Sequence, residues 1–145
     1  MDTVYGHFSL QYPDGIVGPL TIHGPSSANW DIDLGSVAAT DWFHTPASES
    51  FFTEEIPCPP GPRDPGLING KNISNGSGEY YKISFKKGKK HRIRLVNTST
   101  NTHFKVWIDQ HIVEVQAADF IPIIPYATPV LNRLLVSVLV SQGDH

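Results

Sequence analysis

The amino-acid sequence predicts an all-β chain folded as a sandwich or barrel. Three observations carry that prediction. Tyr81, Ile83 and Phe85 alternate with Lys82, Ser84 and Lys86, the period of two that gives a strand one buried and one wet face. Candidate strands follow one another closely, separated by polar turns. No stretch repeats its apolar residues at a convincing helical spacing. A sheet of this kind hides its apolar face only against a second layer, and each buried Ile, Leu or Phe contributes about 1.5–3 kcal/mol.

In chain order, residues 8–12 form a short strand candidate, closed by the turn formers Pro13-Asp14-Gly15. Residues 16–22 read as a second strand, with Gly18-Pro19 marking an edge or bulge. Gly24-Pro25-Ser26-Ser27 breaks the pattern and is the best domain boundary. Residues 37–43 read as a strand. Residues 44–66, rich in Pro, Ser and Glu, read as a long loop better suited to packing against a neighbouring domain than to a compact one. After the alternating stretch at 81–86, Gly88 marks a turn, and Ile93 and Leu95 then alternate with Arg92 and Arg94. Phe104, Val106 and Ile108 give a further strand, turned by Asp109-Gln110, and His111, Val113 and Val115 line one face of the next. The tail Leu134–Val140 has the continuous apolar character of a central strand, and would promote aggregation if left uncovered.

Composition narrows the function classes. The chain has 145 residues, a net charge of -3 and no extended basic surface, which gives no support to nucleic-acid binding. The basic run Lys86, Lys87, Lys89, Lys90, Arg92 and Arg94 reads as a solvated turn and strand face. No apolar run reaches the roughly 20 residues that cross a bilayer. The opening residues lack the basic and apolar regions of a secretory leader, as if the chain had been cut there. Three N-glycosylation sequons, Asn72-Ile73-Ser74, Asn75-Gly76-Ser77 and Asn97-Thr98-Ser99, nevertheless favour a secreted ancestry.

Residues able to carry chemistry are scattered. Cys58 is the single cysteine and has no internal disulfide partner. The seven histidines, His7, His23, His44, His91, His103, His111 and His145, form no His-x-His pair, whereas protein metal sites usually converge three or four ligands. Asp41, Glu114 and Asp119 have no assignable partner, and Tyr5, Trp30, Trp42 and Trp107 suit core or interface packing. Phosphate-loop, dinucleotide and nucleophile-elbow motifs are absent.

A specific resemblance begins at His7-Phe8-Ser9-Leu10-Gln11-Tyr12 and continues through Gly18-Pro19-Leu20 and Gly24-Pro25. Asp41-Trp42-Phe43-His44, Leu67-Ile68-Asn69-Gly70, Arg92-Ile93-Arg94-Leu95-Val96-Asn97, His103-Phe104 and Ala118-Asp119-Phe120-Ile121-Pro122-Ile123 follow in order. Together they resemble the end of the first domain and most of the second domain of fungal laccase-type multicopper oxidases. The resemblance implies a cupredoxin-like (plastocyanin-like) Greek-key sandwich, incomplete, with residues 1–25 closing a first domain and 26–145 forming a second, divergent from about residue 128.

In that family phenol-type donors give single electrons to a type 1 copper, and a trinuclear copper cluster reduces dioxygen to water. Such one-electron chemistry needs a redox metal. The resemblance implies that His7 is a type 3 copper ligand and that Tyr5 stands where its partner histidine would be. It places the other ligand pairs in cupredoxin domains outside residues 1–145, and the type 1 copper cysteine does not match Cys58. His23, His44, His103 and His111 fall at non-ligand positions. The expectation is a laccase-like oxidoreductase fragment, extracellular in the intact family and unable to hold copper alone. The alternative is a non-catalytic structural or binding module.

Overall fold

The computed structural model describes residues 8–49, 66–100, 102–131 and 135–141. Its centre is a six-stranded mixed sheet in the order β2-β1-β5-β8-β6-β7. The strands are β1 (Ile32–Thr40), β2 (Leu67–Ile68), β5 (Lys90–Asn97), β6 (Val113–Ala118), β7 (Ile121–Thr128) and β8 (Leu135–Ser141). β1 runs parallel to β5 and the other pairs are antiparallel. A separate ribbon pairs β3 (Ile73–Ser74) with β4 (Ser77–Gly78).

The tail strand takes the central position its composition predicts. β8 lies between β5 and β6, with Val138 opposite Ile93 on one side and Val115 on the other. Val138, Leu139 and Val140 are all buried, so consecutive residues leave water on both faces of the sheet. The main core gathers Ile93, Leu95, Val113, Val115, Leu131, Val138 and Val140 on one face. Ile83, Phe85, Phe104, Val106 and Ile108 cover it as a second layer.

Two strand expectations need correction in that covering layer. Residues 81–86 and 102–108 alternate in burial as their sequence dictates, but neither forms a regular strand. Val106 makes only an isolated bridge to Leu131. Period two records which side of an extended chain faces the core; a ladder also needs a neighbour at hydrogen-bonding distance.

The start of the chain also departs from expectation. Residues 8–11 form a single helical turn, α1 (Phe8–Gln11), rather than a strand. The Asp14 amide donates to the Leu10 carbonyl and the Gly15 amide to the Tyr12 carbonyl, so local bonds satisfy backbone groups for which no described strand is a neighbour. Residues 16–22 are irregular, with Ile16, Leu20 and Ile22 exposed. Tyr12 donates its hydroxyl to the Ser99 carbonyl, tying this segment to the end of β5.

β1 begins five residues before the expected strand and ends at Thr40 rather than Phe43. Its apolar residues fall at Ile32 and Leu34, then at Val37 and Ala39, a break in phase of one residue. A bulge between Asp33 and Ser36 absorbs the extra residue, with Gly35 at φ 81°. The bulge returns Val37 and Ala39 to the core side, where both pack.

Turn chemistry matches sequence well. Asn69 and Gly70, at φ 48° and 75°, make the two-residue Asn-Gly turn that links Ile68 to Lys71. Asn69 also accepts the Ala38 amide through Oδ1 at 2.7 Å and donates Nδ2 to the Ser36 carbonyl, which fastens the turn to β1. The Asp109-Gln110 turn closes with the His111 amide donating to the Ile108 carbonyl at 3.0 Å.

Leu95→Ala removes a side chain from the middle of this core. It is expected to lower stability by about 2–5 kcal/mol, read as a reduced urea midpoint at an unchanged slope.

Candidate functional site

The densest polar constellation lies on the sheet face opposite the main core. In β5, His91, Ile93 and Leu95 point to the core, so Arg92 and Arg94 must emerge on the other side. Parallel pairing sets Asp33 of β1 beside Arg92. Asp33 Oδ2 accepts from Arg92 Nε at 3.1 Å, from Arg92 Nη2 and from Arg94 Nη2 at 2.8 Å. Asp33 Oδ1 accepts from Arg94 Nη1 at 2.8 Å and from the Gly35 amide at 2.9 Å. The Arg92 guanidinium also stacks 3.5 Å from the Trp30 ring centroid.

Burial alone would raise the Asp33 pKa. Hydrogen bonds from Arg94, Arg92 and the Gly35 amide outweigh it and hold the carboxyl well below the usual carboxylate range. The expected solvated basic face therefore divides in two. Lys86, Lys87, Lys89 and Lys90 are exposed, whereas Arg92 is buried beneath Trp30. Further along the same covering segment, Ser26 donates to Gln116 Oε1 at 2.9 Å and Ser27 to the Gln116 carbonyl at 2.6 Å.

Asp41, without a partner at the sequence level, is buried and caps a loop. It accepts the Thr100 amide through Oδ1 at 2.9 Å and the Thr102 amide through Oδ2 at 3.2 Å. Sequence reasoning missed both carboxylate roles. Their signal is a charged residue at the end or bulge of an apolar strand, which cannot stay there uncompensated.

The described histidines are dispersed. His91 is fully buried and its Nε2 accepts the Lys86 amide at 3.0 Å, which leaves the proton on Nδ1. That N–H has no hydrogen-bond partner among the described residues, and the Phe85 ring packs T-shaped against the His91 ring, 5.2 Å between centroids at 87°. His111 Nδ1 contacts the Asp109 carbonyl at 2.8 Å, beside a shallow groove of about 380 Å³ between Trp107 and Val130. Trp107, expected in packing, is largely exposed, and its Nε1 donates to Asp109 Oδ1 at 3.1 Å. No nucleophile and base come together in this groove. His7, Tyr5, Cys58 and His145 lie outside the described residues.

A family profile described as multicopper oxidase matches residues 35–132. The chain belongs to the multicopper oxidase family. Laccase-1 of Botryotinia fuckeliana is 45% identical over 128 residues, which cover 88% of this chain and 23% of the relative. Dihydrogeodin oxidase of Aspergillus terreus is 41% identical over 142 residues, covering 88% of this chain and 23% of that protein. The crystal structure of laccase from Botrytis aclada superposes with a TM-score of 0.89 at 36% identity, over 96% of this chain and 28% of that one. The fold is thus the cupredoxin-like sandwich the sequence implied, and the chain spans about a quarter of the length of these relatives.

Multicopper oxidases use copper, and the donors described in this chain do not fit it. Among the described residues no three His, Cys, Asp or Glu side chains lie close enough to share a metal ion. His91 is committed through Nε2 to a backbone amide inside the core, Asp33 to two guanidinium groups and an amide, and Asp41 to two loop amides.

Asp33→Asn leaves Arg92 buried without its carboxylate and is expected to lower stability by about 1–3 kcal/mol at pH 7. A depressed folded-state pKa contributes stability above the unfolded value of about 4 and loses it as pH falls. The gap between wild type and Asp33→Asn in urea titrations should therefore hold above about pH 4 and shrink steadily below it.

Proposed function

We propose that this chain supplies a copper-free second cupredoxin-like domain, residues 26–145, and the closing segment of a first, residues 1–25, to an extracellular laccase-type oxidoreductase. The whole protein takes electrons from phenol-type donors and delivers them to dioxygen. Further cupredoxin domains provide most of its copper ligands, and His7 contributes one. The chain by itself is inactive.

One observation carries this reading. Similarity to a laccase runs through 88% of the chain, while the buried His91 and Asp41 serve the fold rather than a metal. The role left to residues 26–145 is mechanical: to present a rigid surface that spaces and supports copper-bearing neighbours. Exposed apolar side chains on β7 support a packed partner there, with Ile121, Ile124 and Tyr126 all open to solvent and Ile124 90% exposed.

A chimaera tests the assignment. Residues 26–127 replace the aligned stretch of Botryotinia fuckeliana Laccase-1, and the secreted product is measured for copper content and for oxygen uptake with a phenol. Full copper occupancy and phenol-dependent uptake are expected, because no ligand is exchanged. A secreted, folded chimaera that has lost copper, or an isolated 145-residue chain that binds several coppers and consumes oxygen, overturns the reading.

A further inference from the structure

The three sequons occupy very different places in the fold. Asn72 donates Nδ2 to the Gly66 carbonyl at 2.7 Å and accepts the Ile73 amide through Oδ1 at 2.7 Å. Asn97 donates Nδ2 to the Thr102 carbonyl at 3.1 Å, and its Oδ1 accepts both the Ser99 amide and the Ser99 hydroxyl. Thr98, the middle residue of that sequon, is only 2% exposed.

The Asn75 side chain makes no hydrogen bond among the described residues. Asn75 and Gly76, at φ 49° and 79°, form the tip of the β3–β4 ribbon, where Ser74 pairs with Ser77. Asn75, Gly76 and Ser77 are all exposed, and a Cβ on Gly76 would meet no atom within 4 Å. Neither the Asn75 amide nor the Ser77 hydroxyl has a hydrogen-bond partner among the described residues.

We propose that Asn75 is the N-glycosylated residue of this chain and that Asn72 and Asn97 are left unmodified. The donor is a lipid-diphosphate-linked oligosaccharide. A bond forms between Asn75 Nδ2 and the sugar C1, the bond from C1 to the lipid diphosphate breaks, the diphosphate leaves, and one Nδ2 proton passes to solvent. Whenever the glycan is attached, the finished fold must accommodate it. At Asn75 it projects into solvent, whereas at Asn72 or Asn97 it would crowd an amide engaged with a backbone carbonyl. The inference rests on the extracellular setting proposed above, since such transfer accompanies secretion.

The full chain, expressed behind a secretory leader in yeast and recovered from the medium, is digested with peptide-N-glycosidase in heavy-oxygen water. Each glycosylated Asn then becomes a labelled Asp. Label at position 75 alone is expected, and Asn75→Gln should run at the mobility of the deglycosylated chain. Label at Asn72 or Asn97, or a secreted chain without glycan at Asn75, overturns the proposal. A second arm treats the purified, unglycosylated chain with oligosaccharyltransferase and the lipid-linked donor, folded and after denaturation. Modification confined to Asn75 in the folded chain and spreading to all three sites on denaturation supports the proposal. Equal modification of all three in the folded chain overturns it. Selective modification in this arm together with failure of secretion would count against the extracellular setting alone.

Discussion

The attachment of β1 to β5 governs the sheet, and Asp33 is its polar lock. These two strands pair in parallel, so they cannot be joined by a tight hairpin and must be held by side chains and ladder bonds across a long connection. A single carboxylate receives both arginines of β5. Arg92 needs that carboxylate because its side chain is only 10% exposed, and a buried guanidinium without a counter-charge would be strongly destabilising. The bulge at Gly35 serves the same arrangement, since it turns the Gly35 amide toward Asp33 while restoring Val37 and Ala39 to the core. Trp30 then closes over Arg92, and the segment preceding it runs on to Gln116 of β6. One carboxylate thereby coordinates a strand pairing, a bulge and the cover of a sheet face.

Alternation of side chains lets β5 serve two unlike environments at once. Ile93 and Leu95 contribute to the apolar core, and His91 occupies the end of their row. A histidine there is tolerated because its Nε2 satisfies the Lys86 amide in the turn that leads into the strand. The Phe85 ring packs T-shaped against His91 and also stacks at 6.2 Å against His111. Two histidines thus contribute through ring packing and a backbone bond. Counting histidines in this chain would overstate its capacity for metal.

Legibility in the sequence followed the kind of signal involved. The tail strand and the core-facing sides of Ile83, Phe85, Phe104 and Val106 could be read directly, because burial of apolar groups is a local consequence of residue type and spacing. Pairing could not be read with equal success. Residues 81–86 and 102–108 have the alternation of strands and the burial of strands, yet lack ladder neighbours. β1 was misplaced for the opposite reason: its bulge interrupts an alternation that the strand itself continues through. The Asp33–Arg92–Arg94 cluster joins residues about sixty positions apart, so no local pattern announces it. Asp41 is the same case on a loop.

The family assignment and the chemistry of this chain therefore rest on different residues. Turns, core positions and strand order carry the likeness to laccases, and they are determined by packing and backbone geometry. Copper chemistry depends on imidazoles converging in space, which is a separate constraint. In the described part of this chain most buried polar side chains already have structural partners: Arg92 with Asp33, Asp41 with two amides, Gln116 with two serines and His91 Nε2 with one amide. Recruiting Asp41, Gln116 or the Nε2 of His91 to a metal would break a bond that the fold uses.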